Sequence, residues 1–332
     1  MTPTRGSPER ILLPRPFRGR LDRRRYTSVQ YGVVASRTFE ESDQVTETVA
    51  VVTGASRGAG AGIARALGSH GCTVYVTGRT QNGGSAGGSR LSGTIDETAQ
   101  AVTDAGGKGI AVRVDHRDDA QVKEFFDRVA REQGRIDILV NNAALIRDEM
   151  MGRTKFWEEP LNVIDTLDVG LRSSYVATVH AAPLMLPHRS GLVAFTSSSG
   201  AVHYAFGPAY GVPKAGTDKM AADMAFDFRE FGIAAVSIWM GSLLTERVRG
   251  IIASNPEKFG HILDTAETPE LTGHVIWALY RDPALMDVSG QTLIGAELAV
   301  KYGIKDDGDR QPPSYRDMFD VHPATQYPHV MR

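Results

Sequence analysis

Cysteine is almost missing from this sequence. Cys72 is the single thiol in 332 residues, so no intrachain disulfide can form, and the chain reads as one suited to a reducing, cytoplasmic compartment. Long apolar runs are missing too. The longest, such as 233–240, fall far short of the ~20 residues that a membrane-crossing helix needs. Net charge is small, −2 by formal count, and gives no general pull toward polyanions. Internal repeats are absent, and His203 has no partner at metal-ligand spacing, so no metal is expected. What remains is an average soluble composition, 42% hydrophobic and 23% charged.

The near-neutral total hides an asymmetry. Residues 1–40 hold nine Arg and no Lys against Glu9, Asp22 and Glu40, a net +6, so the rest of the chain carries −8 to reach −2. An acidic globular part argues against nucleic acid as a substrate. Three readings of the Arg/Pro-rich extension 1–44 stand side by side: a transit peptide, a nucleic-acid or membrane-binding arm, or a translated upstream stretch before a start near Val45. Pro3, Pro8, Pro14 and Pro16 break up any long amphipathic helix, which favours plain disorder.

From residue 48 onward short apolar runs alternate with helical stretches. Strands are expected at 49–53, 73–77, 109–114, 136–141, 192–197, 234–240 and 291–294. Each run is continuously apolar, as in strands buried on both faces of a parallel sheet. Helices are expected near 60–70, 94–105, 118–133, 160–186, 208–231 and 269–281. This alternation implies right-handed βαβ crossovers and a doubly wound, Rossmann-like α/β fold in a single domain, 45–308. The Gly/Ser-rich stretch 81–93 reads as a loop, and the polar tail 309–332 is assigned no regular structure.

The first strand runs into Thr53-Gly54-Ala55-Ser56-Arg57-Gly58-Ala59-Gly60 and then a helix. A helix N-terminus with its free N–H groups receives phosphate, and glycines permit the tight turn and the close approach of backbone to ligand. The spacing is TGxxxGxG rather than GxGxxG, and in this it resembles the short-chain dehydrogenase/reductase family, a resemblance that spans about 48–308. It implies a nicotinamide dinucleotide held by Gly54, Ser56, Arg57, Gly58 and Gly60. The second strand ends Val76-Thr77-Gly78-Arg79 with no acid to accept the ribose hydroxyls. Two guanidinium groups, Arg57 and Arg79, suit a 2′-phosphate, so NADP is favoured, with NAD as the alternative. The resemblance further implies contacts to the adenine from Asp115, to the adenosine ribose from Asn141 and Ala143 of Asn141-Asn142-Ala143-Ala144, and to the nicotinamide carboxamide from Thr245. Met240 stands where the family commonly has proline.

Tyr210-Gly211-Val212-Pro213-Lys214 places a phenol and an ammonium one helical turn apart on one face. Pro213 is expected in the first turn, which sets the helix start at about 209–212. Ser197 lies 13 residues before Tyr210, the family's usual interval for its serine. Carbonyl reduction needs a proton on oxygen as hydride reaches carbon. The resemblance therefore implies Tyr210 as the acid/base, Lys214 lowering its pKa and holding cofactor with it, and Ser197 polarising the substrate oxygen. In Leu167-Asp168-Val169-Gly170, Asp168 aligns with a family asparagine that holds a water behind the lysine, which implies an altered proton relay.

Other segments (155–160, 169–172, 267–271 and 300–303) resemble a branch of carbonyl reductases acting on steroid, ketone and quinone-like compounds. A hydrophobic carbonyl substrate follows, with Tyr204 and Phe206 as candidate pocket walls beside His203, and 242–266 as a lid. A non-catalytic NADP(H)-binding regulator that keeps the fold is the alternative. An extended-branch epimerase would show a TGxxGxxG loop, which is absent. The resemblance also implies a homodimer or homotetramer formed through helices near 160–186 and 208–231, a small-molecule substrate and no nucleic acid partner.

Overall fold

The structure, a computed structural model, describes residues 47–82, 92–152, 154–327 and 329–331. The extension 1–44 and residues 83–91 of the Gly/Ser-rich loop lie outside the described residues. Among the described residues seven strands form one sheet: β1 Val49–Val52, β2 Thr73–Gly78, β3 Lys108–Arg113, β4 Ile138–Asn141, β5 Gly191–Ser197, β6 Ile233–Trp239 and β7 Thr292–Ile294. Every pairing is parallel, and the order is β3-β2-β1-β4-β5-β6-β7. The chain works outward from β1 through β2 to β3, then returns to β1's other side as β4. This reversal opens a crevice at the carboxyl ends of β1 and β4, the place where such sheets bind ligands.

Alternation along each inner strand feeds two apolar layers. Ala50, Val52, Val74, Val76, Ile138 and Val140 meet Ile63 and Leu67 of α1 (Gly58–Ser69), Val102 of α2 (Ile95–Asp104) and Ile276 of α7 (Pro269–Arg281). Val49, Val51, Leu139, Val193 and Phe195 meet Phe125 and Val129 of α3 (Asp119–Glu132), Ala177 of α4 (Ser173–Met185) and Ala221 of α5 (Pro208–Phe228). Each of the larger side chains contributes about 1.5–3 kcal/mol by leaving water. Burial on both faces holds for β1, β2, β4, β5 and β6 but not for β3, which is only half-buried because it is an edge strand.

Three differences from the sequence expectation matter for the site. The helix expected over 160–186 is broken: a 3-10 turn Leu161–Ile164 and a helical turn lead into a π-turn, Asp168–Arg172, before α4 begins. Pro213 lies not in the first turn of α5 but at its sixth residue, with Pro208 starting the helix. The carbonyl that a proline at 213 leaves without its helical donor is that of Ala209, and Thr166 Oγ1 donates to it at 2.7 Å. The tail after 308 is not devoid of structure. It carries α9, Tyr315–Phe319, capped by Ser314 and tied back to α8 (Gly295–Lys301) through Glu297. These are tertiary contacts, which local pattern does not record. Among the described residues no helix is long and apolar enough to cross a membrane.

Candidate active site

The phosphate loop is built as a cradle. Gly54 has φ +64°, and a Cβ there would fall 2.6 Å from Ala143 Cα. A Cβ on Gly60 would fall 2.5 Å from both Asn142 Nδ2 and Gly54 O. Only glycine lets β4's end pack beneath the loop while its upper side stays open. Thr53 fastens the two together: its Oγ1 accepts from Asn142 N at 2.9 Å and Ala143 N at 3.0 Å, and donates to Val140 O at 3.2 Å. Asn142 Nδ2 returns the tie by donating to Thr53 O and Gly54 O. Ala143 thus acts through its backbone. Asn141 is not brought to the crevice; its amide donates to Thr178 of α4 at 2.9 Å, on the sheet face away from the loop. Asn142 is the member of the pair that serves the loop.

At the N-terminus of α1, Gly58 N–H is met by a carboxylate oxygen of Glu246 at 3.1 Å. An anion therefore fits where a pyrophosphate oxygen would bind. Glu246 begins α6 (Glu246–Ser254), whose cap is Thr245, with Oγ1 accepting from Val248 N. The Thr245 methyl stands 3.5 Å from a Cβ built on Gly58, so this residue does reach the phosphate loop. Ser56 sits against Gly78 at the end of β2. Arg57 donates to Thr80 Oγ1 and Gly93 O, both at 3.0 Å, which lays its guanidinium across that strand end. Burial lowers its pKa most, Glu246 opposes this, and the charges of Arg79 and Arg247 add to the lowering. Arg79 is exposed. Asp115, past the end of β3, is held by Arg117, whose hydrogen bonds push its carboxyl below the usual range. His116, which the sequence reading missed, is buried against Thr77 Oγ1 at 2.8 Å, and burial drops it to about 4.

Tyr210 and Lys214 meet as their spacing predicts. Lys214 Nζ lies 5.8 Å from the Tyr210 ring centroid and donates to Thr196 O at 3.2 Å. Burial brings Lys214 down to about 8, against the pull of Asp218. The phenol pKa, expected to be lowered, is raised, because burial outweighs the Ser198 hydrogen bond. The phenol therefore keeps its proton at neutral pH. Phe206 holds its ring edge-on at 5.2 Å and does so with φ +53°, a strained conformation for a bulky residue. Tyr204 is 80% exposed and stands at the rim.

Ser198 Oγ, not Ser197 Oγ, shares a hydrogen bond with Tyr210 Oη, at 2.9 Å. Ser197 is fully buried. It is the last residue of β5 and shares the sheet face of Val193 and Phe195, beneath α5. Its hydroxyl therefore donates to Lys214 O at 3.3 Å and bonds Asp218. Ser198 lies one residue past the strand and turns to the crevice. Asp218 was also missed. It is buried one turn beyond Lys214 and accepts from Ser237 Oγ at 2.5 Å and Trp239 Nε1 at 2.9 Å.

Asp168 is not behind Lys214. It is exposed, on an open surface depression with Arg117, Asp119 and Arg172. The residue of that π-turn which lines a narrow cavity of about 20 Å³ with Tyr210 and Lys214 is Gly170. One extra residue in this helical turn rotates the chain, which leaves Asp168 on the open surface.

Glu267 completes the site's frame. Its backbone pairs with the loop after β6, Leu244 N donating to Glu267 O and Glu267 N to Ser242 O, each at 2.9 Å. Its Oε1 accepts from Gly241 N at 2.9 Å, while Oε2 is buried with no hydrogen-bond partner among the described residues. Burial pushes its pKa up to about 7. A carboxyl raised in the fold costs stability once it ionises there. That cost is absent below about 4.5 and fully present above about 7, a span worth about 3 kcal/mol. Glu267→Gln, which keeps the acceptor for Gly241, is expected to gain stability relative to the parent between pH 5.5 and 8.5 in urea unfolding. A pH-independent difference would contradict the assignment.

The description "short chain dehydrogenase" matches residues 48–255. Dehydrogenase/reductase SDR family member 1 of Mus musculus is 39% identical over 278 residues, covering 80% of this chain and 85% of that protein. The Homo sapiens protein of the same name is 38% identical over 284 residues, with coverage of 82% and 87%. The chain belongs to the short-chain dehydrogenase/reductase family. The 3-oxoacyl-[acyl-carrier-protein] reductase FabG of Escherichia coli is 30% identical over 207 residues, 61% of this chain and 76% of that one. Family membership makes this short-chain dehydrogenase/reductase an oxidoreductase that uses a nicotinamide dinucleotide on a small-molecule substrate. It also accounts for an anion-receptive loop and a serine–tyrosine–lysine cluster standing at the ends of adjacent strands.

Proposed function

We propose that the protein is an NADP(H)-dependent reductase or dehydrogenase that interconverts a hydrophobic carbonyl compound and its secondary alcohol. The observation that carries this reading is the Ser198–Tyr210 hydrogen bond of 2.9 Å, with Lys214 Nζ 5.8 Å from the same ring. Bound nicotinamide supplies or takes the hydride. Ser198 and Tyr210 present two hydroxyls to one substrate oxygen; Ser198 orients and polarises it, and Tyr210 gives up its proton as charge develops there. The buried ammonium stabilises the phenolate left behind. Lys214 itself is steadied by Thr196 O and by Asp218. Phe206, half-exposed and packed edge-on to Tyr210, makes the approach apolar.

Gly54, Gly58 and Gly60 with the α1 N-terminus hold the pyrophosphate, and Thr245 comes from the facing loop. Arg57 and Arg79, at a strand end without acid, favour a 2′-phosphate over free ribose hydroxyls. The exposed Tyr175, Val179 and Val212 on α4 and α5 suit pairing of two copies.

A consumption assay with NADPH and NADH over ketones, quinones and steroids tests the reading. NADPH oxidation with at least one carbonyl class is expected, and binding of cofactor without any turnover would overturn it. Arg79→Glu is expected to lower the NADPH/NADH ratio of kcat/KM by tenfold or more. An NADH preference in the parent protein would refute the 2′-phosphate assignment.

A further inference from the structure

The phosphate loop takes a carboxylate from a distant part of the chain. Helix α1 starts at Gly58, behind Arg57, whose side chain has donors and no acceptor, and its first turn contains no acid. The helix therefore supplies no side-chain cap for its own N–H groups. Glu246, 188 residues further on, supplies the acceptor instead: its carboxylate receives Gly58 N–H at 3.1 Å. The dipole of the helix and the charge on the acceptor both favour this bond. The same two terms favour a pyrophosphate oxygen on that N–H, so one donor faces two candidate anions.

The start of α6 is held on both sides of the crevice. On the α1 side, besides the Glu246 bond, the Thr245 methyl stands 3.5 Å from a Cβ built on Gly58, so the two helix starts lie against each other. On the other side, Arg247 donates to Ile146 O at 3.2 Å and pairs with Asp148 at 3.1 Å, both in the segment that follows β4. The first turn of α6 thus straddles the ends of β1 and β4. Its two ties are unequal. The Arg247 side chain is only 26% exposed, whereas Glu246 is exposed, and water competes for its bond. The tie at Gly58 is the one that opens first.

We infer that Glu246 sets the affinity for the dinucleotide: its carboxylate is a displaceable catch on Gly58 N–H, and that N–H passes to a pyrophosphate oxygen only when Glu246 lets go. This rests on the phosphate-loop assignment given above. Gly58 N carries a single hydrogen, and two anions brought to it repel each other, so the two states exclude one another. Only molecules with the catch open accept the dinucleotide, and the apparent affinity falls by that fraction. Coupling of this kind is reciprocal. Filling the phosphate loop leaves α6 tied at Arg247 alone, and anything that pins α6 to Gly58 weakens the dinucleotide.

The test measures affinity by fluorescence titration of the full chain with NADPH, NADH and ADP-ribose, the last carrying the pyrophosphate without nicotinamide. Glu246→Asp keeps the charge and the acid that starts α6 but is one methylene short of Gly58; Glu246→Ala removes charge and reach together. Both are expected to tighten the parent's preferred dinucleotide, and ADP-ribose, by about 3- to 10-fold, the worth of one hydrogen bond at an exposed site. Glu246→Gln, which keeps the length and an acceptor, is expected to fall between them and the parent. Amide hydrogen exchange reads the catch directly. Without ligand, residues 246–254 are expected to exchange faster in Glu246→Asp than in the parent, and with the dinucleotide at saturation the two should become alike. Unchanged affinities overturn this inference, and so does tightening by Glu246→Ala but not by Glu246→Asp, which is what charge repulsion alone predicts. An exchange difference that persists with the dinucleotide bound overturns it as well. A parent protein that binds neither dinucleotide nor ADP-ribose overturns the phosphate-loop assignment, and this inference with it.

Discussion

Tyr210→Phe is expected to cost about 10²- to 10⁴-fold in kcat, the contribution typical of one positioned proton donor, while leaving the fold and cofactor affinity intact. The substitution deletes a single oxygen. The ring keeps its edge-on contact with Phe206, and the lost partner is Ser198 Oγ, which is half-exposed and returns to water. Thermal stability should therefore stay within a degree or two. Two companions sharpen the test. Ser198→Ala removes the hydroxyl that faces Tyr210 and should depress kcat by tenfold or more. Ser197→Ala instead breaks the tie from β5 to Lys214 O and Asp218, so its loss should appear mainly as lowered stability. A larger kcat loss from Ser197→Ala than from Ser198→Ala would return the catalytic role to Ser197. Burial raises the Tyr210 phenol, so the proton needed for reduction is retained across neutral pH. Burial lowers Lys214 to about 8, so reduction should decline as pH rises through that value and the ammonium is lost.

Thr53→Val should be the most damaging conservative change in the cofactor half of the site. The two side chains match in shape, so packing is preserved. What is lost is the oxygen that accepts from Asn142 N and Ala143 N. Both amides sit at the end of β4 beneath the phosphate loop, and Ala143 is only 5% exposed. Leaving a buried donor without a partner costs about 1–3 kcal/mol, so the pair together should cost about 2–4 kcal/mol. Gly54 lies directly against Ala143, and a shift of that strand end would move the loop. A fall in Tm of several degrees and a weaker NADPH affinity are expected together. Thr53→Ser, which keeps the acceptor, should recover most of both. Stability lost equally in Thr53→Ser would place the effect in packing instead.

Much of this protein is legible in its sequence because the signals are local. Continuous apolar runs such as 192–197 mark buried strands, and a glycine series between strand and helix marks an anion-receptive turn. Tyr and Lys four apart in a helix must share a face. Each of these depends on neighbours within one turn or one strand. The differences between expectation and geometry share a physical cause as well. Asp168 aligns with a family asparagine through its segment, and the π-turn at Asp168–Arg172 leaves its side chain on the open surface while Gly170 lines the cavity with Lys214. Ser197 was placed by a 13-residue interval, whereas the alternation of β5 commits Ser197 to the α5 face and leaves Ser198 at the crevice. Asn141 is lost to α4 by the same alternation, since every second residue of a strand faces the other layer.

The sequence by itself determined the sheet, the place of the phosphate turn and the Tyr210–Lys214 face, because backbone periodicity and steric limits act over a few residues. Only the tertiary structure decided which hydroxyl faces Tyr210, that Asp218 and not Asp168 stands near Lys214, and that Glu267 frames the loop after β6. Those outcomes depend on how strand ends are clipped, how helices rotate, and where a tail finds a carboxylate to hold it. These are long-range contacts, which leave no periodic trace in the chain.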